Sequence, residues 1–129
     1  MRLLVVGSGG REHALVKKLC KEADVSEIIC APGNAAISQV QRTRIVDVDV
    51  SDPSGILHVA EMEDVEFTIV GPELPLANGV ADAFSLTGQP LFGPSKGAAK
   101  LESSKAFSKK FMKRHGVPTA SFEVCTDLS

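Results

Sequence analysis

The sequence predicts an α/β fold, a three-layer, doubly wound parallel sheet, on three observations. Short, mainly apolar runs recur at Leu3–Val6, Ile28–Cys30, Phe67–Val70 and Pro90–Phe92. Strands that are apolar without alternation are those covered on both faces, the habit of central parallel strands. Amphipathic stretches of helical period lie between these runs, and strands alternating with helices wind into a parallel sheet. The third observation is a repeated unit: Val70 and Phe92 are each followed by Gly-Pro and then by a helix start.

Leu3–Val6 is the first strand. The first helix is expected from about Arg11 to Lys21, with Ala14, Leu15, Leu19 and Cys20 inward and Lys17, Lys18 and Lys21 wet. A short second strand, Ile28–Cys30, runs into Ala31-Pro32-Gly33-Asn34, a turn. Residues 37–44 read as loop with a short helical turn. Ile45–Val50 alternates strictly and is expected as an edge strand with one wet face. Ser51 or Asp52 can cap the next helix and Pro53 suits its first position, so a helix runs to about Met62. After Phe67–Val70 come Gly71-Pro72-Glu73-Leu74-Pro75-Leu76, where two prolines are expected to hold a rigid loop before a helix over 76–86.

The character changes near Leu101. From Lys96 to Arg114 there are seven basic residues and one acid, Glu102. Ser103 or Ser104 can cap a helix that stops at Gly116, with Ala106, Phe107, Phe111 and Met112 as its buried side. Lys105, Lys109 and Lys113 share a face at spacing four. Val117–Val124 is strand-like. A boundary is therefore expected between a domain of residues 1–101 and a second unit opening at 102–129.

Composition narrows the function. A chain of 129 residues can bury a real core unaided. Trp and Tyr are absent, so Val, Ile, Leu and Ala must fill it. A net charge of −2 argues against nucleic-acid binding by the chain as a whole, and the basic run lacks interleaved exposed aromatics, so it reads first as a solvated helix face. Cys20, Cys30 and Cys125 match neither a metal spacing nor a disulfide framework, which points to a reducing cytoplasm. No apolar run reaches the length of a membrane span. His58 and His115 are isolated, and no Ser–His–acid arrangement stands in a recognisable context.

The chemistry concentrates at Gly7-Ser8-Gly9-Gly10-Arg11-Glu12-His13. Glycines after a strand let the backbone turn sharply, and the first free N–H groups of the following helix favour an anion. This turn is expected to hold a phosphate, with Arg11 facing a phosphate or carboxylate. The dinucleotide pattern Gly-x-Gly-x-x-Gly is incomplete: Glu12 stands at the third glycine, and no acid ends the second strand to hold a ribose hydroxyl. NAD binding is therefore disfavoured. Three loops, Gly7–His13, Pro32–Asn34 and Gly71–Leu76, should converge at the carboxyl edge of the sheet. Their inventory of backbone N–H groups, one guanidinium, one imidazole, one amide and two carboxylates suits a phosphorylated sugar. Each residue also has a plainer reading: Glu12 at the positive helix end, His13 as a solvated first-turn residue, Asn34 as a turn former.

Six blocks together resemble one family. They are Gly7–Ala14, Ala31–Ala35, Val70–Asp82, Phe92–Ser95, Leu101–Phe107 and His115–Ala120. In order and spacing they are similar to the start of the glycinamide ribonucleotide synthetases, or phosphoribosylamine–glycine ligases. Residues 36–50 match only loosely. The resemblance implies a Rossmann-like pre-ATP-grasp domain with the start of an ATP-grasp domain. It also implies a role in purine biosynthesis, joining glycine to 5-phosphoribosylamine while ATP is split through a glycyl phosphate. By motif, Gly9, Gly10, Arg11, Glu12, Asn34 and Glu73 fall in substrate-side loops, which also carry His13, Pro75 and Leu76. Lys105 matches a position that contacts ATP phosphates. ATP and Mg²⁺ (or Mn²⁺) are implied for a full-length enzyme, with neither held by this chain alone. No metal ligand, catalytic residue, nucleic-acid partner or membrane is expected here. The partners implied are the small-molecule substrates and the remaining ATP-grasp portion. Family members are several times longer, so this chain by itself is expected to be inactive. Two other readings remain open at this point: the front domain of another ATP-grasp enzyme, such as a formate-dependent transformylase, or a stand-alone nucleotide-binding or interaction module.

Overall fold

In the computed structural model, residues 1–125 are described. Five parallel strands form one sheet in the order β3-β2-β1-β4-β5. They are β1 (Arg2–Gly7), β2 (Glu27–Pro32), β3 (Thr43–Ile45), β4 (Phe67–Val70) and β5 (Leu91–Phe92). The chain moves outward from β1 through β2 to β3, then returns to the other side of β1 as β4. The doubly wound sheet expected from the sequence is present, and its topological switch point falls between β1 and β4.

Leu4, Val5 and Val6 of β1 are wholly buried, as a strand covered on both faces must be. Each such side chain contributes about 1.5–3 kcal/mol on burial. Leu3, Val5, Ile28 and Cys30 face a layer made by α1 (Gly10–Leu19), Val25 and Ile37. Leu4, Val6, Ile29 and Val70 face the other, made chiefly by α2 (Pro53–Met62) and α4 (Val80–Thr87), with Leu76 and Ala99. α2 begins as expected: Asp52 accepts from the Ser54 N–H at 3.0 Å, and Pro53 takes the first helical position.

Several elements differ from expectation. In α1 the inward residues are Glu12 and Val16, with Leu19 and Cys20 partly covered, while Ala14 is exposed. The alternating segment 45–50 is not a strand beyond Ile45. After the Val46 N–H bond to the Cys30 carbonyl at 3.1 Å, the chain leaves the ladder. Val46, Val48 and Val50 still pack on the core, so the alternation reports one-sided burial rather than pairing.

The second proline-rich stretch is helical sooner than expected. Pro72 caps α3 (Glu73–Asn78), and Pro75 is its third residue, where the N–H lacks a helical partner in any case. Gly79, at φ 100°, then separates α3 from α4; a side chain there would be strained. α5 (Lys96–Ser103) and α6 (Lys105–Arg114) begin with Ser95 and Ser104 accepting from Ala98 and Phe107 N–H groups. No residue of α6 is fully buried: of the expected inward side, Phe111 and Met112 are half-buried while Ala106 and Phe107 are exposed among the described residues. Residues 117–124 form no strand. Residues 126–129 of the expected second unit lie outside the described residues.

Candidate functional site

The carboxyl edge of an open α/β sheet, at its switch point, is where ligands bind. Here the loops after β1 and β4 meet at that place. The Gly71 N–H donates to the Val6 carbonyl at 3.1 Å, and Arg11 donates from its guanidinium to the Gly71 carbonyl. The loop after β2 joins them. The Gly33 N–H donates to the Gly7 carbonyl at 3.1 Å, and the Asn34 amide donates to the Ser8 carbonyl at 2.7 Å. The three loops expected to meet, Gly7–His13, Pro32–Asn34 and Gly71–Leu76, thus converge through Gly7, Ser8, Arg11, Gly33, Asn34 and Gly71, without His13.

Individual residues take distinct positions within this cluster. Asn34 ties two loops together: its side-chain oxygen also accepts from the Ala36 and Ile37 N–H groups at 2.8 and 2.9 Å. Glu12 is 5% exposed and turned inward. Its Oε2 accepts from the Gly9 N–H at 2.6 Å, so one donor of the glycine turn is already taken. The turn as it stands is therefore capped by its own carboxylate, which runs against the expectation that it cradles a phosphate. Gly10 is the first residue of α1 and carries no close neighbour on its Cβ side. Arg11 and Glu73 are exposed at the rim, Glu73 as the first residue of α3 rather than on a loop between prolines. Pro75 and Leu76 are buried and anchor α3.

His13 stands apart from the rim. Two positions from Arg11 on a helix, it cannot share its direction. It lines a groove of ≈ 810 Å³ with Lys17, Lys21, Gln39 and Arg42. His13, Lys17 and Lys21 recur at spacing four, so this face of α1 was readable in the sequence; Arg42 joins it only through the fold. Lys105, first residue of α6, is exposed and lies with Lys109 in a separate cleft of ≈ 340 Å³.

Cys30 is buried behind the site. Its Sγ donates to the Gly7 carbonyl at 3.4 Å, and burial, helped by the Glu12 charge, pushes its thiol up to about 11. Among the described residues no three His, Cys, Asp or Glu side chains gather as a metal ion would require. No helix there is long and apolar enough to cross a membrane.

At the opposite edge of the sheet lies a second polar group that sequence reasoning missed. Glu27 pairs with Arg2 at 2.9 Å and with Arg44 at 2.8 Å, and Arg44 also holds Glu63. Only the register, which sets β1, β2 and β3 side by side, brings these residues together.

Comparison with known proteins places this geometry. The family described as phosphoribosylglycinamide synthetase, N domain, matches residues 1–102. A phosphoribosylamine–glycine ligase of Xylella fastidiosa is 52% identical over 128 residues, covering 99% of this chain and 30% of that protein. The Vibrio cholerae protein of the same name is 45% identical with the same coverage. The crystal structure of phosphoribosylamine–glycine ligase from Thermotoga maritima superposes with a TM-score of 0.64 at 29% identity, over 95% of this chain and 27% of that one. A biotin carboxylase domain of a single-chain bacterial carboxylase superposes with a TM-score of 0.70 at 16% identity, over 98% of this chain and 32% of its own, and shares the fold. The chain spans about 30% of the length of the curated relatives it matches.

Proposed function

Because the chain belongs to the phosphoribosylglycinamide synthetase N-domain family, we propose that it forms the phosphoribosylamine-binding part of an ATP-dependent ligase that joins glycine to 5-phosphoribosylamine in purine biosynthesis. The observation that carries this reading is the meeting of the loops after β1 and β4 at the switch point, with the Arg11 guanidinium and the Glu73 carboxylate exposed at the rim. A carboxylate accepts from sugar hydroxyls and from an amine, and a guanidinium suits an anionic group. Asn34 fixes the third wall. Gly10 leaves the backbone open to close approach, Gly9 holds the Glu12 carboxylate beside it, and Pro75 and Leu76 fix the helix that presents Glu73.

The domain boundary near residue 101 is part of the same proposal. α6 has no buried residue, which supports its belonging to a second unit. The exposed Lys105 amine suits ATP phosphates. When bound, ATP supplies the phosphoryl group that activates the glycine carboxylate. The carboxylates to hold its Mg²⁺ would come from outside the described residues, and the chain alone is inactive. The free thiols of Cys20, Cys30 and Cys125 support a cytoplasmic setting.

The test is an amide NMR titration with ribose 5-phosphate, a stable stand-in for the amine, with NAD in parallel. Millimolar affinity, about −4 kcal/mol, is within reach of the method. Saturable shifts at residues 9–13 and 71–76 with the sugar phosphate, and none with NAD, are expected. Shifts there with NAD alone would overturn the reading in favour of a dinucleotide module.

A further inference from the structure

In the pattern Gly-x-Gly-x-x-Gly the third glycine allows helix and strand to pack closely. Position 12 is that place in this chain, and it holds a glutamate. The side chain does not escape to solvent. Cβ atoms added at Gly7 and Gly71 would lie 2.8 and 2.6 Å from its Cδ, and one at Gly9 would lie 3.0 Å from its Oε2. Three glycines from two loops therefore make a chamber that fits one carboxylate. The acid bonds the Gly9 N–H at 2.6 Å, within the donor cradle that a pyrophosphate would use.

We propose that Glu12 is a specificity-determining residue: an internal anion that fills the phosphate cradle and bars phosphoanions from the glycine turn. A like charge held in place repels a second one, and the donor the ligand would need is occupied. The turn then meets the uncharged or cationic end of its ligand, hydroxyls or an amine, and the ligand's phosphate lies away from it. This orientation rests on the sugar-amine reading above; the exclusion of phosphoanions does not.

The experiment titrates inorganic pyrophosphate into the wild-type chain, Glu12→Gln and Glu12→Gly, reading amide shifts of residues 9–11. Wild type and Glu12→Gln, which keeps the bulk, should give no saturable shift. Glu12→Gly, which restores the third glycine, should bind at least about tenfold more tightly, the scale of a charge-assisted contact. Saturable wild-type binding at these amides overturns the proposal, as does a folded Glu12→Gly that gains nothing. Hydrogen exchange on the wild type decides independently of whether that variant folds. The Gly9 amide should be protected although it precedes a helix, and rapid exchange there would overturn the occupied cradle. Failure of ribose 5-phosphate to bind, with pyrophosphate gained by Glu12→Gly, would remove the proposed function and leave this inference standing.

Discussion

Replacing Gly71 by alanine tests whether the buried carboxylate joins the two loops. The new methyl would stand 2.6 Å from Glu12 Cδ and 2.8 Å from Cγ. The backbone at Gly71 lies outside the left-handed region, so alanine is not refused on conformational grounds. Glu12 cannot move toward Gly7, whose backbone already closes that side, and its other course is outward, abandoning Gly9. Loss of the charge-assisted bond costs about 1.5–3 kcal/mol, and overpacking about 1–3 kcal/mol. The stiffer unfolded chain returns about 0.4–1 kcal/mol. A net destabilisation of about 2–4 kcal/mol follows from these terms. Urea unfolding measures it, provided the slope with denaturant is unchanged. In a Glu12→Ala background the same substitution should cost less than about 0.5 kcal/mol, leaving a coupling of about 2 kcal/mol in the double-mutant cycle. An additive cycle, or a Gly71→Ala chain as stable as wild type, would refute the reasoning.

Other predictions follow from neighbouring groups. Thr68 is buried in β4 with no partner for its hydroxyl among the described residues, so Thr68→Val should stabilise the chain by about 1 kcal/mol in the same urea assay. Cys30 keeps its proton in the fold to about 11, against 9.0 for a free thiol. Its contribution is fully present below pH 9.0 and is lost as pH rises through that interval, by at most about 1.4 kcal/mol per pH unit; the fall should vanish in Cys30→Ala. A thiol reagent should label the exposed Cys125 at once and Cys30 only on unfolding. The Arg44 hydrogen bond, ahead of its charge, holds the Glu63 carboxyl below its usual 4.5. That stabilisation exists above this value and is lost on acidification, and Arg44→Met should remove about 1 kcal/mol or less at neutral pH and flatten the acid limb of the stability curve.

The sequence made the scaffold legible where one interaction decides the element. β1 is buried on both faces and reads as such, while β4 is buried at Thr68 and Val70 and half-buried at Phe67 and Ile69; Asp52-Pro53 marks a helix start by its own chemistry. It misled where two causes share one pattern. Val46, Val48 and Val50 alternate because one side of an extended segment is buried, which looks the same as a strand until its partner is known. The prolines at 72 and 75 bar a helix interior but not a first turn, so Glu73 moved from an expected loop to a helix start. At the site, the loops' convergence followed from topology. The inward turn of Glu12 did not, because it depends on space left by Gly71, a residue 59 positions along the chain. The pairing of Arg44 with Glu27 is hidden for the same reason: the alternation of Ile45–Val50 points to a strand that begins one residue past Arg44.

The Arg2–Glu27–Arg44–Glu63 network lies at the amino ends of the strands, the whole length of the sheet away from the rim that carries Arg11 and Glu73. The two ends of the sheet consequently answer to different pressures. Charge at one end is closed on itself and sets tolerance to acid and salt. Charge at the other, on Arg11 and Glu73, is exposed to solvent, where the proposed function sets the ligand. A lineage can retune the working conditions of such a domain by exchanging Glu63 or Arg44 while the proposed recognition rim drifts separately, and an engineer can do the same.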